Sequence, residues 1–277
     1  MTQTNMTTFS DAMNAKLSVS DDVCPVHNRK LIYLAQNPER KPICYECAKE
    51  VVEQQNKEMA ENASQHYLEH TTKKWLNRHS IYLDETLKKA TFDSFKTDDL
   101  ETEQNKEMAL QIAREYYKGA TYNTIFTGKA GSGKSHLARA MLEVVNNYSD
   151  PYRKCLFVSV DELMRRIKDS FNNKKSFYTE QRMVDLLTEA DLLVLDDLGA
   201  ETGAIETGNT ATDFTTRTLY AVINGRMNKP TILTTNLNSQ GMRSMYDSKL
   251  VSRMFRGADG HVIKFEKTKD KRRTLEF

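Results

Sequence analysis

The feature that most constrains this chain of 277 residues is one glycine-rich segment, Gly128-Lys129-Ala130-Gly131-Ser132-Gly133-Lys134-Ser135. It matches the phosphate-loop pattern in full, and it lies between a predicted strand and a predicted helix. The glycines let the backbone turn tightly, so that successive N–H groups and the helix N-terminus face phosphate groups. Lys134 is then expected to reach the β and γ phosphates, and Ser135 is expected to coordinate Mg²⁺. The alternative is a glycine turn ahead of an ordinary helix.

The stretch beyond residue 80 alternates short apolar runs with amphipathic segments, which is the pattern of an α/β domain with a parallel sheet. Strands are predicted at residues 124–127, 155–160, 191–195, 231–235 and 261–265. Helices of suitable length and apolar spacing are predicted at residues 101–118, 134–147, 161–169, 179–189 and 213–227. The expected fold class is therefore α/β, a phosphate-loop parallel sheet flanked by helices.

A phosphate loop needs an acidic element on a neighbouring strand to hold its metal. The apolar run of residues 192–195 would be buried on both faces of a sheet, and it ends in Asp196 and Asp197. Because ligands bind at the carboxyl edge of open α/β sheets, Asp196 is predicted to hold Mg²⁺ and Asp197 to polarise the attacking water. Asn236 ends another apolar strand and would orient that water from the other side. The alternatives are a solvated acidic turn and an ordinary turn asparagine.

Four potential metal ligands lie near the N-terminus in two pairs, Cys24 with His27 and Cys44 with Cys47. The C-x2-H and C-x2-C spacings are those of zinc ligands, and three thiolates with one imidazole complete a closed tetrahedron. Since the surrounding residues offer little else to bury, folding of this segment would depend on Zn²⁺. The alternatives are a chance cluster of buried cysteines and a redox pair. Cys155 lies in a predicted strand and is expected in the core.

Composition and charge exclude several classes of protein. The chain has 40 Lys and Arg against 38 Asp and Glu, and this net charge of +2 is too small for a surface built throughout to bind nucleic acid. The N-terminus lacks a signal-peptide core and no apolar run reaches membrane-spanning length, so a cytoplasmic protein is expected.

The predicted organisation is a disordered leader (1–20), a zinc-binding module (21–50), a helical linker (51–89) and a phosphate-loop domain (90–277). The linker continues a helix predicted from residue 46 to about residue 79.

Residues 90 to 273 resemble the ATPase domain of the DnaC, DnaI and IstB group of AAA+ proteins. The segments that carry the resemblance are Ala90-Thr91-Phe92-Asp93-Ser94-Phe95, Ser135-His136-Leu137-Ala138, Asp196-Asp197-Leu198-Gly199 and Pro230-Thr231-Ile232-Leu233-Thr234-Thr235-Asn236-Leu237. The resemblance implies that residues 90–277 form an AAA+ ATPase domain. It also implies that this domain lacks a C-terminal helical lid, since only residues 266–277 follow the last predicted strand.

The resemblance assigns roles to single side chains as well. It makes Asn236 the sensor-1 residue and Arg253 an arginine finger that enters the site of a neighbouring subunit. Arg272 or Arg273 would be the sensor-2 residue at the nucleotide. The alternative for these arginines is an ordinary solvated helix surface and a solvated tail. A metal module ahead of such a domain resembles the DnaI type of replicative helicase loader.

Residues 165–182 combine basic and aromatic side chains and hold six basic against two acidic residues, a local charge of +4. Basic groups can follow phosphates while aromatic faces stack on unpaired bases, so single-stranded DNA is the expected ligand. The candidate contact residues are Arg165, Arg166, Lys168, Phe171, Lys174 and Lys175. The alternative is a helix whose apolar side, Phe171 included, packs on the core while the charges are solvated.

The motifs and the resemblance together predict an ATP-dependent loader of a replicative DnaB-type helicase, encoded by a bacterium or a phage. ATP, Mg²⁺ and Zn²⁺ are the expected cofactors. The ATPase domains are expected to self-assemble on the helicase and on single-stranded DNA. Two alternatives stay open: an IstB-like transposition helper that binds duplex DNA and a transposase, and a non-hydrolysing interaction protein whose interface ATP orders.

Overall fold

The computed structural model describes residues 17–34, 41–173, 175–202 and 211–271. The chain divides into two compact units, Met1–Tyr67 and Leu68–Phe277. The first contains the predicted zinc ligands and the second contains the phosphate loop. None of the helices in the described ranges is long and apolar enough to cross a membrane.

The first unit begins with an antiparallel hairpin. Strand β1, Leu17–Val23, pairs with strand β2, Lys30–Leu34, and the pairing is irregular between Val19 and Val23. Helix α1, Tyr45–His79, starts in this unit and confirms the long helix predicted from residue 46. The predicted leader of residues 1–20 is too long, because residues 17–20 belong to β1; residues 1–16 lie outside the described residues. Pairing with β2 in the hairpin stabilises a strand that its own residues do not predict.

Very little of the first unit is buried. In its described residues, the only buried side chains are those of Cys24 and Cys44. Apolar side chains such as Val19 and Ile43 stay exposed. Apolar burial therefore cannot account for the stability of this unit, which is the situation in which a bound metal replaces a core.

The second unit is a five-stranded parallel sheet flanked by helices, which confirms the predicted fold class. Its strands are β3 (Thr124–Gly128), β4 (Cys155–Ser159), β5 (Leu192–Leu198), β6 (Thr231–Thr235) and β7 (Val262–Phe265). Their spatial order is β4-β5-β6-β3-β7, and each neighbouring pair is parallel. Its helices after α1 are α2 (Leu100–Tyr117), α3 (Lys134–Tyr148), α4 (Val160–Asp169), α5 (Glu180–Glu189), α6 (Asp213–Gly225), α7 (Ser239–Met245) and α8 (Ser248–Met254).

The core occupies both faces of this sheet, because alternate residues of a strand point to opposite sides. In β5, Leu193 belongs to the apolar cluster that contains Ile167 of α4, whereas Leu192 belongs to the cluster that contains Leu137 of α3. The apolar run of β5 is completely buried, as expected for a strand covered on both faces. Cys155 is also fully buried in β4, in agreement with its predicted core position.

Two features of the second unit differ from the predictions. The predicted linker of residues 51–89 extends too far, because Leu76, Ile81 and Tyr82 are buried in the core of this unit. The backbone of Ile81 pairs with the edge of β4, where its N–H donates to the carbonyl of Phe157 at 2.8 Å. Helices α7 and α8 were not predicted, since seven residues are too few to show a helical period.

Candidate functional site

The phosphate loop connects β3 to α3, and its backbone has positive φ angles at Gly128, Gly131 and Gly133. The φ angles of Gly128 and Gly133 are +141° and +102°, in a region that other residues rarely adopt. A Cβ at Gly128 would lie 2.3 Å from the carbonyl oxygen of Phe265, and one at Gly133 would lie 2.6 Å from the ring of Phe95. The loop is therefore packed closely against β7 and against the segment that precedes α2.

Lys134 begins α3, and its ammonium group is held by the loop itself. The side chain is buried and donates to the carbonyl oxygens of Gly128 at 2.9 Å and Lys129 at 2.7 Å. It also donates to Oδ1 of Asn236 at 2.8 Å. These contacts fix a positive charge beside the N-terminus of α3, where the helix dipole also favours negative charge. The arrangement is suited to a polyphosphate.

The two carboxylates of the acidic element lie at a break in the pairing of β5. The register of β5 against β6 shifts between Leu195 and Leu198, so Asp196 and Asp197 leave the regular ladder. Asp197 has a φ of +58°, which is uncommon for a residue other than glycine. Nδ2 of Asn236 donates to Oδ1 of Asp197 at 3.1 Å. The structure thus brings Asp197, near the end of β5, into contact with Asn236, which follows β6. Lys134 donates to the same Asn236.

Thr234 is a site residue that sequence reasoning did not identify. Its hydroxyl donates to Oδ1 of Asp196 at 2.7 Å and accepts the backbone N–H of Asp197 at 2.8 Å. One side chain of β6 therefore holds the carboxylate of Asp196 and the backbone of Asp197. The available signal was the threonine pair at the end of an otherwise apolar strand, because a buried hydroxyl needs a hydrogen-bond partner.

Asp196 is the carboxylate best placed for a magnesium ion. Burial raises its pKa to about 6, against hydrogen bonds from Ser135 and Thr234 that favour the charged form. Ser135 and Asp196, the two predicted Mg²⁺ ligands, line the same cavity. A buried carboxylate next to a hydroxyl fits a hard cation that takes oxygen ligands, so the residues present are compatible with Mg²⁺.

These groups line one cavity of about 450 Å³, which is within the usual range for a small-molecule site. Its other wall comes from the segment between α1 and α2, and that wall was not predicted. The lining residues from this segment include Leu83, Thr86, Leu87 and Phe95, and Lys271 lies at the same cavity. His136 of α3 holds the wall by a hydrogen bond of 2.9 Å between its Nε2 and the carbonyl of Thr91. The signal for this wall was the segment of residues 90–95, which carries the family resemblance. Its position at the cavity follows only from the fold.

Arg253 does not lie among the residues that line this cavity. It lies on α8, where its guanidinium stacks over the ring of Tyr220 at 4.7 Å and Nη1 donates to the carbonyl of Lys249 at 3.3 Å. These contacts hold it on α8, away from the residues that line the cavity. The two sensor-2 candidates, Arg272 and Arg273, lie outside the described residues.

The four predicted zinc ligands come together in the first unit. Their ligand atoms all lie within 4.8 Å of one another. Sγ of Cys24 is 3.6 Å from Sγ of Cys47, and Nδ1 of His27 is 3.2 Å from Cys47, 3.7 Å from Cys44 and 3.9 Å from Cys24. Metal–ligand bonds of about 2.3 Å to sulfur and about 2.0 Å to nitrogen give tetrahedral edges of roughly 3.5 to 3.8 Å. The donor set and its spacing fit Zn²⁺.

Groups around these ligands orient them for a metal. Nε2 of His27 lies 3.2 Å from a carboxylate oxygen of Glu50, which leaves Nδ1 directed at the three sulfur atoms. Backbone N–H groups of His27 and Val26 lower the pKa of Cys24 to about 6, so this thiol ionises readily. A hydrogen bond with Cys24 and burial raise the pKa of Cys47, which lies in the first turn of α1. The cluster is a closed set of four ligands with a supporting carboxylate.

The basic segment proposed for DNA is partly neutralised within the chain. Glu162 accepts hydrogen bonds from Arg165 at 2.7 Å and from Arg166 at 2.6 Å. Arg165 also pairs with Asp169 at 3.1 Å. Phe171 is 60% exposed and touches Phe214 edge to face, so it is not a core residue. Lys168 and Lys175 are exposed, and Lys174 lies outside the described residues.

Comparison with known proteins identifies a family. The sequence model of the family described as IstB-like ATP binding protein matches residues 45–264, which is well over half of the chain. The replicative helicase loader DnaC of Escherichia coli K12 is 29% identical over 160 residues. That match covers 56% of this chain and 60% of DnaC, so it spans less than two thirds of the relative.

Solved structures share the fold. The crystal structure of DnaI has a TM-score of 0.51 at 21% identity, and the match covers 68% of this chain and 96% of DnaI. AMPPCP-bound DnaA from Aquifex aeolicus has a TM-score of 0.50 at 21% identity, covering 69% of this chain and 54% of DnaA. These likenesses confirm the predicted resemblance to the DnaC, DnaI and IstB group at the level of fold.

Proposed function

The chain belongs to the family of IstB-like ATP binding proteins, and from this premise we propose that it is an ATP-dependent loader of a replicative hexameric helicase. The observation that carries the proposal is the similarity of its ATP-binding unit to relatives named replicative helicase loader. The cavity between the phosphate loop and residues 83–96 supports it, because it joins a polyphosphate site to a partly apolar wall. A loader acts where the chromosome is replicated, which supports a cytoplasmic location.

We further propose that the bound ATP is hydrolysed. The loop, Lys134 and Ser135 would hold the phosphates and, with Asp196, the magnesium ion, which neutralises charge on the phosphate oxygens when bound. Asp197 and Asn236, joined at 3.1 Å, would orient a water for attack on the γ-phosphorus. The new P–O bond forms as the bond to the β-γ bridging oxygen breaks, and the water's proton passes to Asp197. Aspartate is one methylene shorter than glutamate, so slow turnover is expected.

Self-assembly would complete the site. Arg253 lies outside the cavity of its own chain, so it can act as an arginine finger only on a neighbouring subunit. The cation–π contact with Tyr220 holds the guanidinium on α8 until a neighbour docks. Turnover would then report assembly rather than nucleotide binding alone.

The first unit would bind the helicase. Closed tetrahedral Zn²⁺ coordination would hold β1, β2 and the start of α1 together, since Cys24 and Cys44 are the only buried side chains among the residues of this unit that the structure describes. α1 exposes Val51, Val52 and Met59 on a helix that is otherwise polar. Exposed apolar side chains on a rigid element are suited to contact another protein.

Single-stranded DNA would contact the segment after α4. Lys168, Lys175 and Phe171 are exposed and offer charge with an aromatic face. Arg165 and Arg166 would join them only by leaving Glu162. Recruitment of these two arginines to DNA would therefore require rearrangement of an internal ion pair.

An IstB-like transposition helper is the second candidate, favoured by the family match itself. The two functions differ in the partner that is captured. The purified full chain with ATP would be mixed with either a replicative helicase or a transposase, and each mixture analysed by gel filtration with light scattering. A stable complex with the helicase supports the loader, and a complex with the transposase alone supports the second candidate.

A further inference from the structure

The carboxylate of Glu101, in the first turn of α2, receives hydrogen bonds from a distant segment. The backbone N–H of Glu266 donates to it at 2.8 Å, that of Lys267 at 3.1 Å and that of Thr268 at 2.7 Å. The hydroxyl of Thr268 donates to the same carboxylate. Three successive backbone N–H groups around one carboxylate form an anion-binding nest. These bonds keep the pKa of Glu101 below its usual value, although burial alone would raise it.

These hydrogen bonds from residues 266–268 to Glu101 fix the direction of the chain after β7. Nδ2 of Asn105, one turn further along α2, donates to the carbonyl of Lys264 at 2.8 Å. Between Phe265 and Lys271, the last described residue, the chain forms neither helix nor strand. Charge-assisted hydrogen bonds to Glu101 are therefore the main polar restraint at the start of this segment.

The same segment ends at the phosphate loop. The backbone N–H of Lys271 donates to the carbonyl of Gly131 at 2.9 Å. The side chain of Asp270 packs so closely on Gly131 that a Cβ there would lie 1.7 Å from Oδ1 of Asp270. The ammonium of Lys271 lies 4.3 Å from the centre of the Phe95 ring and 3.5 Å from Asp98, at the lining of the cavity. The position of segment 266–271 therefore affects the shape of the cavity.

We propose that Glu101 is a positioning residue for the nucleotide site, acting at a distance by holding the segment 266–271 against the phosphate loop. The proposal rests on ATP binding in this cavity. When the carboxylate of Glu101 is removed, the segment detaches from α2. The contact between Lys271 and Gly131 then forms in only a fraction of the molecules. Apparent affinity falls in proportion to the fraction that is competent to bind, so a docked fraction of about one tenth weakens binding about tenfold.

The chain offers a matched control on the same turn of the same helix. Asp99 caps α2, and its carboxylate accepts the backbone N–H of Thr102 at 2.7 Å. Asp99→Ala therefore destabilises α2 without releasing segment 266–271.

The test is titration of the full chain with a fluorescent ATP analogue and Mg²⁺, with the melting temperature of each variant measured in parallel. We expect Glu101→Ala to weaken binding about tenfold, Glu101→Gln to weaken it less, and Asp99→Ala to stay within about twofold of the wild type. Lys271→Ala should weaken binding as well, and Glu101→Ala should then add little in that background, because both changes act through one segment.

Three results would overturn the proposal: wild-type affinity in Glu101→Ala, equal loss of affinity in Glu101→Ala and Asp99→Ala, or full additivity of Glu101→Ala with Lys271→Ala. Should Glu101→Ala fail to fold, Glu101→Gln against Asp99→Ala decides the same question. Lys134→Ala separates this outcome from failure of the ATP-site assignment. If the wild type and Lys134→Ala bind the analogue equally, the assignment of the cavity as the ATP site is wrong. If Lys134→Ala loses binding but Glu101→Ala binds like the wild type, only the positioning role of Glu101 is wrong.

Discussion

Replacing Thr234 with valine tests whether one hydroxyl of β6 organises the acidic end of β5. Valine keeps the shape of threonine and removes the donor to Asp196 and the acceptor for the N–H of Asp197. A hydrogen bond to a charged group contributes about 1.5 to 3 kcal/mol, and a buried N–H left without a partner costs about 1 to 3 kcal/mol. Together these losses amount to about 2.5 to 6 kcal/mol, or a fall in melting temperature on the order of 10 °C for a unit of this size.

The effect on turnover follows from the backbone of Asp197. Its φ of +58° is a strained conformation that costs about 1 to 3 kcal/mol and is held partly by Thr234. Once released, Asp197 would relax away from Asn236, and each 1.4 kcal/mol of lost transition-state stabilisation lowers the rate about tenfold. We expect kcat for ATP hydrolysis to fall about tenfold to hundredfold, while ATP affinity in excess Mg²⁺ changes less than about threefold because Lys134 and the loop are intact.

Thr235→Val provides the comparison. Thr235 is equally buried, donates to the carbonyl of Leu198 at 2.7 Å and accepts the N–H of Leu237 at 3.1 Å, but it touches neither carboxylate. The two variants should therefore lose similar stability. Steady-state ATPase rates and melting curves measured side by side decide the matter. Equal turnover in both variants would refute the assignment of Thr234 to the site.

Three further outcomes are expected. Arg253→Ala and Asp197→Asn should each bind ATP and fail to hydrolyse it. An equal mixture of the two variants should recover about a quarter of wild-type activity if Arg253 acts on a neighbouring subunit. No recovery in the mixture would exclude action in trans. Chelation of zinc, or Cys44→Ser, should unfold the first unit by circular dichroism and abolish helicase binding while ATP binding persists; intact helicase binding by metal-free protein would place the partner surface elsewhere. Glu162→Gln should release Arg166 from its ion pair, whereas Arg165 keeps Asp169, and steepen the salt dependence of single-stranded DNA binding by about 0.7 in log–log slope; an unchanged slope would remove Arg166 from the DNA surface.

Local patterns in the sequence predicted the parts of the ATP site that belong to single elements. The phosphate loop is continuous, so its glycines, Lys134 and the flanking strand and helix could be identified from spacing alone. Asp196 and Asn236 were predicted at strand ends, because parallel strands present their carboxyl ends at one edge. The helix from residue 46 and the zinc ligands were also predictable, since each depends on short-range spacing.

Contacts between distant elements were not predictable in this way. Thr234 reaches Asp196 only because β6 lies next to β5, and Glu101 reaches Thr268 across more than 160 residues. The shift in β5 that frees Asp197 from the ladder depends on pairing with β6 and leaves no periodic signal. Arg165 illustrates the opposite error, because its charge looked available in the sequence and is bound to Glu162 in the fold.

The most direct test of the proposed function is transfer of a replicative helicase onto closed circular single-stranded DNA, followed by displacement of an annealed oligonucleotide. The circle has no free end, so a hexameric ring can enter it only if the ring is opened or assembled around the strand. We expect displacement to require the full chain and ATP, and to be lost with Lys134→Ala. Displacement that is equally fast without the chain, or equally fast with Lys134→Ala, would contradict the proposal that this protein is an ATP-dependent helicase loader.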